Sequence, residues 1–167
     1  MDAPKQPLRP VLSPGCRERL GDDRADRFDR LMDPDTGDPG RLMAEVRDDP
    51  DLGVALVECD TVDQLAPLFS DAPGTWSSEA EQSGPLGEAS FGVAWTFETT
   101  HDDTHGRFNG IPPTGRSVVV QGYTVVGFSP VRGTLVVRRW VDWTAVLAQL
   151  GLTVNWRIPV TGPDPSP

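Results

Sequence analysis

Phe108-Asn109-Gly110-Ile111-Pro112-Pro113-Thr114-Gly115-Arg116 is a rigid turn set between two runs of strand-forming residues. Its proline and glycine content forbids regular structure across it, so the runs on either side must be separate elements. Upstream, Phe91, Val93, Trp95, Phe97 and Thr99 recur at every second position, with Ala94, Thr96 and Glu98 between them. That period predicts a strand with one apolar face. Downstream, Ser117 to Phe128 is rich in β-branched and aromatic residues, with Gly122 a candidate bulge or bend. Ser129-Pro130-Val131-Arg132-Gly133 predicts a turn, and Thr134 to Trp143 the next strand. Short connections make these three strands antiparallel neighbours. Thr144 to Leu150 then predicts a two-turn helix stopped by Gly151.

The N-terminal half reads differently. Residues 1–15 hold Pro4, Pro7, Pro10 and Pro14, a spacing that favours a flexible extended arm. From Arg17 to Met32, Leu20, Ala25, Phe28, Leu31 and Met32 share one face of a helix whose other face is charged. A second helix is expected from Pro39 to Val46. Leu52 to Val57 reads as a strand or a helix end, and Thr61 as the cap of a helix from Val62 to Phe69, with Pro67 awkwardly inside it. Residues 70–87 are expected to form a loop with one ragged strand around Trp76. The folded domain is placed at 16–157, and the proline-bearing tail, 158–167, is expected to be disordered.

The chain of 167 residues, 37% of them apolar, is long enough to bury one real core. Its net charge of −10 is uneven: residues 1–87 carry 9 basic and 19 acidic side chains, residues 88–167 six of each. Without a basic stripe, phosphate-backbone binding has no electrostatic footing, so nucleic acid is excluded as a partner. Cys16 and Cys59 are too few for a metal cluster or disulfide framework; they could pair with each other, but buried or free thiols are the expectation. No apolar run reaches the roughly 18–20 residues of a membrane span, and Met1 to Pro7 has no apolar signal core. A cytoplasmic protein without membrane contact is the expectation. Helices first, then a strongly curved antiparallel sheet, predict an α+β domain in the shape of a cone, whose mouth is a natural small-molecule pocket.

Residues 99–151 resemble the SnoaL-like family of polyketide cyclases and ester cyclases. The resemblance is carried by Gly106-x-Phe108-x-Gly110-Ile111-Pro112-Pro113-Thr114-Gly115-Arg116, followed by Asp142 and then Gln149-Leu150-Gly151. It implies the cone of nuclear transport factor and ketosteroid isomerase, and a homodimer built through the sheet. It also implies cofactor-free, metal-free ring closure of a hydrophobic polyketide-like substrate in natural-product biosynthesis, with Asp142 as the acid–base group. Opening of an epoxide or formation of an ether ring is the alternative on this fold, with Asp60 or Asp63 as a second carboxylate, and a non-catalytic ligand-binding or dimerising module is another. The sequence departs from the family pattern where Thr104 replaces a His two residues before Gly106, with His101 and His105 nearby instead, and in the Gly133-to-Asp142 spacing.

A single carboxylate can remove a proton from carbon between carbonyls and return it to the alkoxide, provided an apolar setting raises its pKa from about 4. Trp140 is expected on the strand face of Asp142, with Arg138 there opposing the shift. The plainer reading of Asp142 is a helix cap for residues 144–150. His101 and His105, flanking Asp102-Asp103, are candidates for acid–base assistance, with metal ligation or simple solvation as alternatives. Trp95, Phe97, Tyr123 and Phe128 alternate along strands, where they either pack the core or line the substrate pocket. Thr114 and Gly115 read as structural, and Arg116 as a surface or dimer residue.

Overall fold

The computed structural model describes residues 12–33, 35, 37–70, 72–81, 90–102 and 111–153. The expectations for most of the N-terminal arm, for the tail, and for His105 and Phe108-Asn109-Gly110 therefore lie outside the described residues. Four helices come first, α1 (Pro14–Leu20), α2 (Asp22–Leu31), α3 (Pro39–Asp48) and α4 (Pro50–Phe69). Strands β1 (Thr75–Glu81), β2 (Ser90–His101), β3 (Arg116–Ser129) and β4 (Thr134–Val141) follow, then helix α5 (Trp143–Gln149). The strands form one curved antiparallel sheet in the order β1-β2-β3-β4, so the α+β class stands.

Helices α1 and α3 begin at side-chain caps. Ser13 Oγ accepts from the Cys16 N–H, and Pro14 sits at the first helical position, where its missing N–H costs nothing. The expected arm thus turns helical at its end. The single helix predicted from Arg17 to Met32 is two: Gly21, at φ 77° and ψ 155°, breaks it, and its N–H bonds back to the Arg17 carbonyl at 3.0 Å. Asp38 caps α3 by accepting from the Gly40 and Arg41 N–H groups. The two short elements expected between Leu52 and Phe69 are one helix of 20 residues. Thr61 does not cap it but lies inside it, fully buried, and Pro67 also lies inside it, in the last turn.

Helix α4 is apolar on more than one face. Leu52 and Cys59 pack with Cys16, Leu20, Ala25, Phe28 and Leu31 in a cluster among the helices. Val57, Val62, Leu65 and Phe69 pack with Val93, Trp95, Phe97, Val118 and Val120 against the sheet. The first cluster is stapled by a disulfide between Cys16 and Cys59, joining α1 to α4. This corrects the expectation of unpaired thiols. The two cysteines are 43 residues apart, and only the packing of α1 on α4 brings them together.

The sheet's register explains Gly122. Pairing between β2 and β3 runs without interruption from Ser90↔Gly127 to His101↔Arg116, so no bulge occurs there. Gly122 faces Trp95 instead, and a Cβ on it would come within 2.2 Å of the Trp95 indole. The missing side chain lets that indole lie over β3, where its Nε1 donates to Thr124 Oγ1 at 2.9 Å. Trp76 of β1 stacks on it at 5.7 Å. β4 ends at Val141, short of the predicted Trp143, and β3 runs on beyond it. There Gln149 of α5 takes the place of a partner strand, its side-chain amide bonding both the N–H and the carbonyl of Val119 at 2.8 Å.

Replacing both cysteines, as Cys16→Ser with Cys59→Ser, should lower unfolding free energy by about 4 kcal/mol, the loop-closure value for a span of this length. Urea unfolding of the oxidised parent against the double variant measures it. An unchanged midpoint would mean that packing alone holds α1 on α4.

Candidate functional site

The two cores do not meet completely. Between α1, α4 and the helix-facing side of the sheet lies a cavity of about 350 Å³, within the range of small-molecule pockets. Its wall is largely apolar: Phe28, Leu42, Leu56 and Val57 from the helices, Phe91, Val126, Leu135 and Val137 from the strands. Leu12 and the Cys16–Cys59 disulfide complete it. The polar lining is Ser13, Asp60, Asp63 and Gln64. The last three sit at helical spacings of three and four on α4, hence on one face of it.

Two of those groups are already engaged. Asp60 Oδ1 accepts from Gln64 Nε2 at 2.8 Å, and Oδ2 pairs with the Arg139 guanidinium, which also donates to Gln64 Oε1. Arg139 comes from the helix-facing side of β4, as its register opposite buried Thr124 requires. Burial pushes its pKa down from the ordinary arginine value, although a guanidinium stays charged. Its Nε is buried without a hydrogen-bond partner among the described residues. Asp63 is exposed beside the cavity and makes no hydrogen bond or ion pair among the described residues.

The residues singled out from sequence fall elsewhere. Asp142 is exposed and caps α5, its Oδ1 accepting from the Ala145 N–H at 3.0 Å. It does not line this cavity. Trp140 and Arg138 alternate with Arg139 and therefore lie on the sheet face away from the helices, where Trp140 is 54% exposed and tilts against Tyr123. Among the described residues, Asp142, Trp140 and Arg138 do not line this cavity together. Trp95 and Phe97 are buried core residues, and Phe128 is half-buried against the same core.

His101 is fully buried at the end of β2, not solvated. Its Nδ1 shares a hydrogen bond with Thr114 Oγ1 at 3.1 Å, its carbonyl accepts from the N–H groups of Thr114 and Gly115, and Phe69 meets its ring edge-on at 6.2 Å. These bonds tie the Pro112-Pro113-Thr114-Gly115 turn to the sheet. Nε2 has no partner among the described residues. Arg116 reaches the Gln149 carbonyl at the end of α5, at 3.2 Å. The pairing of Arg139 with Asp60 and Gln64 was missed from sequence. Its signals were the shared parity of Leu135, Val137, Arg139 and Val141, and the helical spacing of Asp60 and Gln64, visible only once α4 is read as one helix.

Against known proteins, the chain matches no family, no curated protein and no solved structure. Among the described residues no helix is long and apolar enough to cross a membrane.

A double-mutant cycle with Asp60→Asn and Arg139→Met should give a coupling of about 1 kcal/mol, modest because the aspartate is partly solvated. Additive losses in denaturant titration would show that the two side chains act independently.

Proposed function

We propose that this chain takes a mainly apolar, polyketide-like molecule into the cavity between α1, α4 and the sheet, and closes a ring in it by cofactor-independent acid–base chemistry of the SnoaL-like type. One observation supports the reading: the cavity is apolar over most of its wall, and its polar lining includes two carboxylates, Asp60 and Asp63. Both oxygens of Asp60 are occupied by Gln64 and Arg139. Asp63 keeps its lone pairs and would take the acid–base role in place of Asp142. The carboxylate would take a proton from carbon between two carbonyls of the bound chain. That carbon would then attack a second carbonyl, and the proton would return to the new alkoxide, leaving the atom count unchanged as an aldol closure requires.

Epoxide opening with ether-ring formation is the second reading, favoured by the pair of carboxylates three residues apart on one helix face. The proposed homodimer would use the sheet face that no described helix covers, where Tyr123 and exposed Val119 and Trp140 project. As to location, the Cys16–Cys59 disulfide weighs toward an oxidising compartment and against the cytoplasm.

Incubation with linear and partly cyclised polyketides, read by mass spectrometry and chromatography, tests the reading. Asp63→Asn should cut turnover by about a hundredfold or more. Asp142→Asn should keep it, since asparagine caps a helix as well as aspartate does. The opposite pattern would restore the role to Asp142. Tight binding with no turnover by the parent would leave a ligand-binding module.

A further inference from the structure

We infer that the cavity selects apolar molecules ending in an amine and rejects those ending in a carboxylate or phosphate. The inference rests on the reading that the cavity takes an apolar small molecule, and deepens it by naming the polar end. What the polar lining can still bond decides that end. Gln64 uses one amide N–H on Asp60 and its oxygen on Arg139, and keeps one neutral N–H. Arg139 and Asp60 cancel one another in charge. Ser13 accepts from the Cys16 N–H at 3.1 Å and retains one hydroxyl proton. Asp63 alone among these groups carries a full charge with no partner among the described residues.

A ligand whose apolar body lies along Leu56, Phe91 and Leu135 therefore meets, at the polar side of its site, a net charge of −1 and an open acceptor. An ammonium group there forms a charge-assisted hydrogen bond. A carboxylate meets like charge, and the guanidinium that could have received it already has its charge matched by Asp60. The chain's net charge of −10, with its acidic surplus in the half that contributes α4, adds to the same preference at longer range.

The test uses the oxidised full chain loaded with Nile red, a neutral dye, displaced by decylamine, decanol or decanoate below their micelle concentrations. Decylamine should displace the dye at about tenfold lower concentration than decanoate, with decanol between them, and added salt should narrow the gap. Asp63→Asn should bring the amine and the acid within about twofold of each other. Its folding is checked by an unchanged thermal midpoint. Decanoate equal to or tighter than decylamine would overturn the amine preference while leaving the cavity intact. A gap that survives Asp63→Asn would overturn the assignment to Asp63. Failure of all three to displace the dye, with Leu56→Trp also without effect on dye binding, would remove the cavity reading itself.

Discussion

Helix α4 has to bury two faces at once, and that demand arranges everything around it. Its sheet-facing residues, Val57, Val62, Leu65 and Phe69, need the core face of β2 and β3, and its other side needs α1 and α2. A helix exposed on one side would show a single apolar stripe; one covered on two sides loses it. The remaining α-helices of the N-terminal half can then be short, because each closes against α4 or against one another. The Cys16–Cys59 bond adds a covalent tie at this junction. Where the helical and sheet-facing cores fail to interlock, the cavity is left.

The sheet contributes its side of that cavity through parity. A strand sends alternate side chains to opposite faces, so a one-residue difference decides whether a group meets the helices or faces away from them. On β4 that choice brings Arg139 to α4 and sends Arg138 and Trp140 to the other face. Gly122 and the Trp95–Thr124 hydrogen bond hold the register in which this happens, since the indole lies in the space a side chain at position 122 would fill. The same lattice of contacts uses His101, Thr114, Arg116 and Gln149 to fasten the proline-rich turn and α5 to the strand ends. Residues that carry the family resemblance thus serve as joints in this molecule.

Strand periodicity was legible in the sequence because it is local. The alternation of Phe91, Val93, Trp95 and Phe97 reports which side of one strand is buried, and burial there follows the same order. The turn at Ser129 to Gly133 needed only its glycine at φ 62°. Asp142 as a helix cap was legible too, from its place before residues 144–150. The single α4 was not. Its apolar residues spread around the helix, so the periodic signal that marks an amphipathic helix is missing, and Pro67 and Thr61 suggested interruptions that tertiary packing overrides.

By itself, then, the sequence determined the class of the domain, the order of its later elements, the three long strands and their antiparallel pairing, and the acidic imbalance of the first half. The tertiary structure decided which residues share a site. Cys16 meets Cys59 across 43 positions, Asp60 meets Arg139 across 79, and Asp63 is set beside an apolar cavity whose walls come from seven elements and the residues just before α1. The physical reason is range. Hydrophobic alternation and capping act over a few residues and leave a mark in the order of the amino acids, whereas a cavity forms from the misfit between surfaces far apart in the chain.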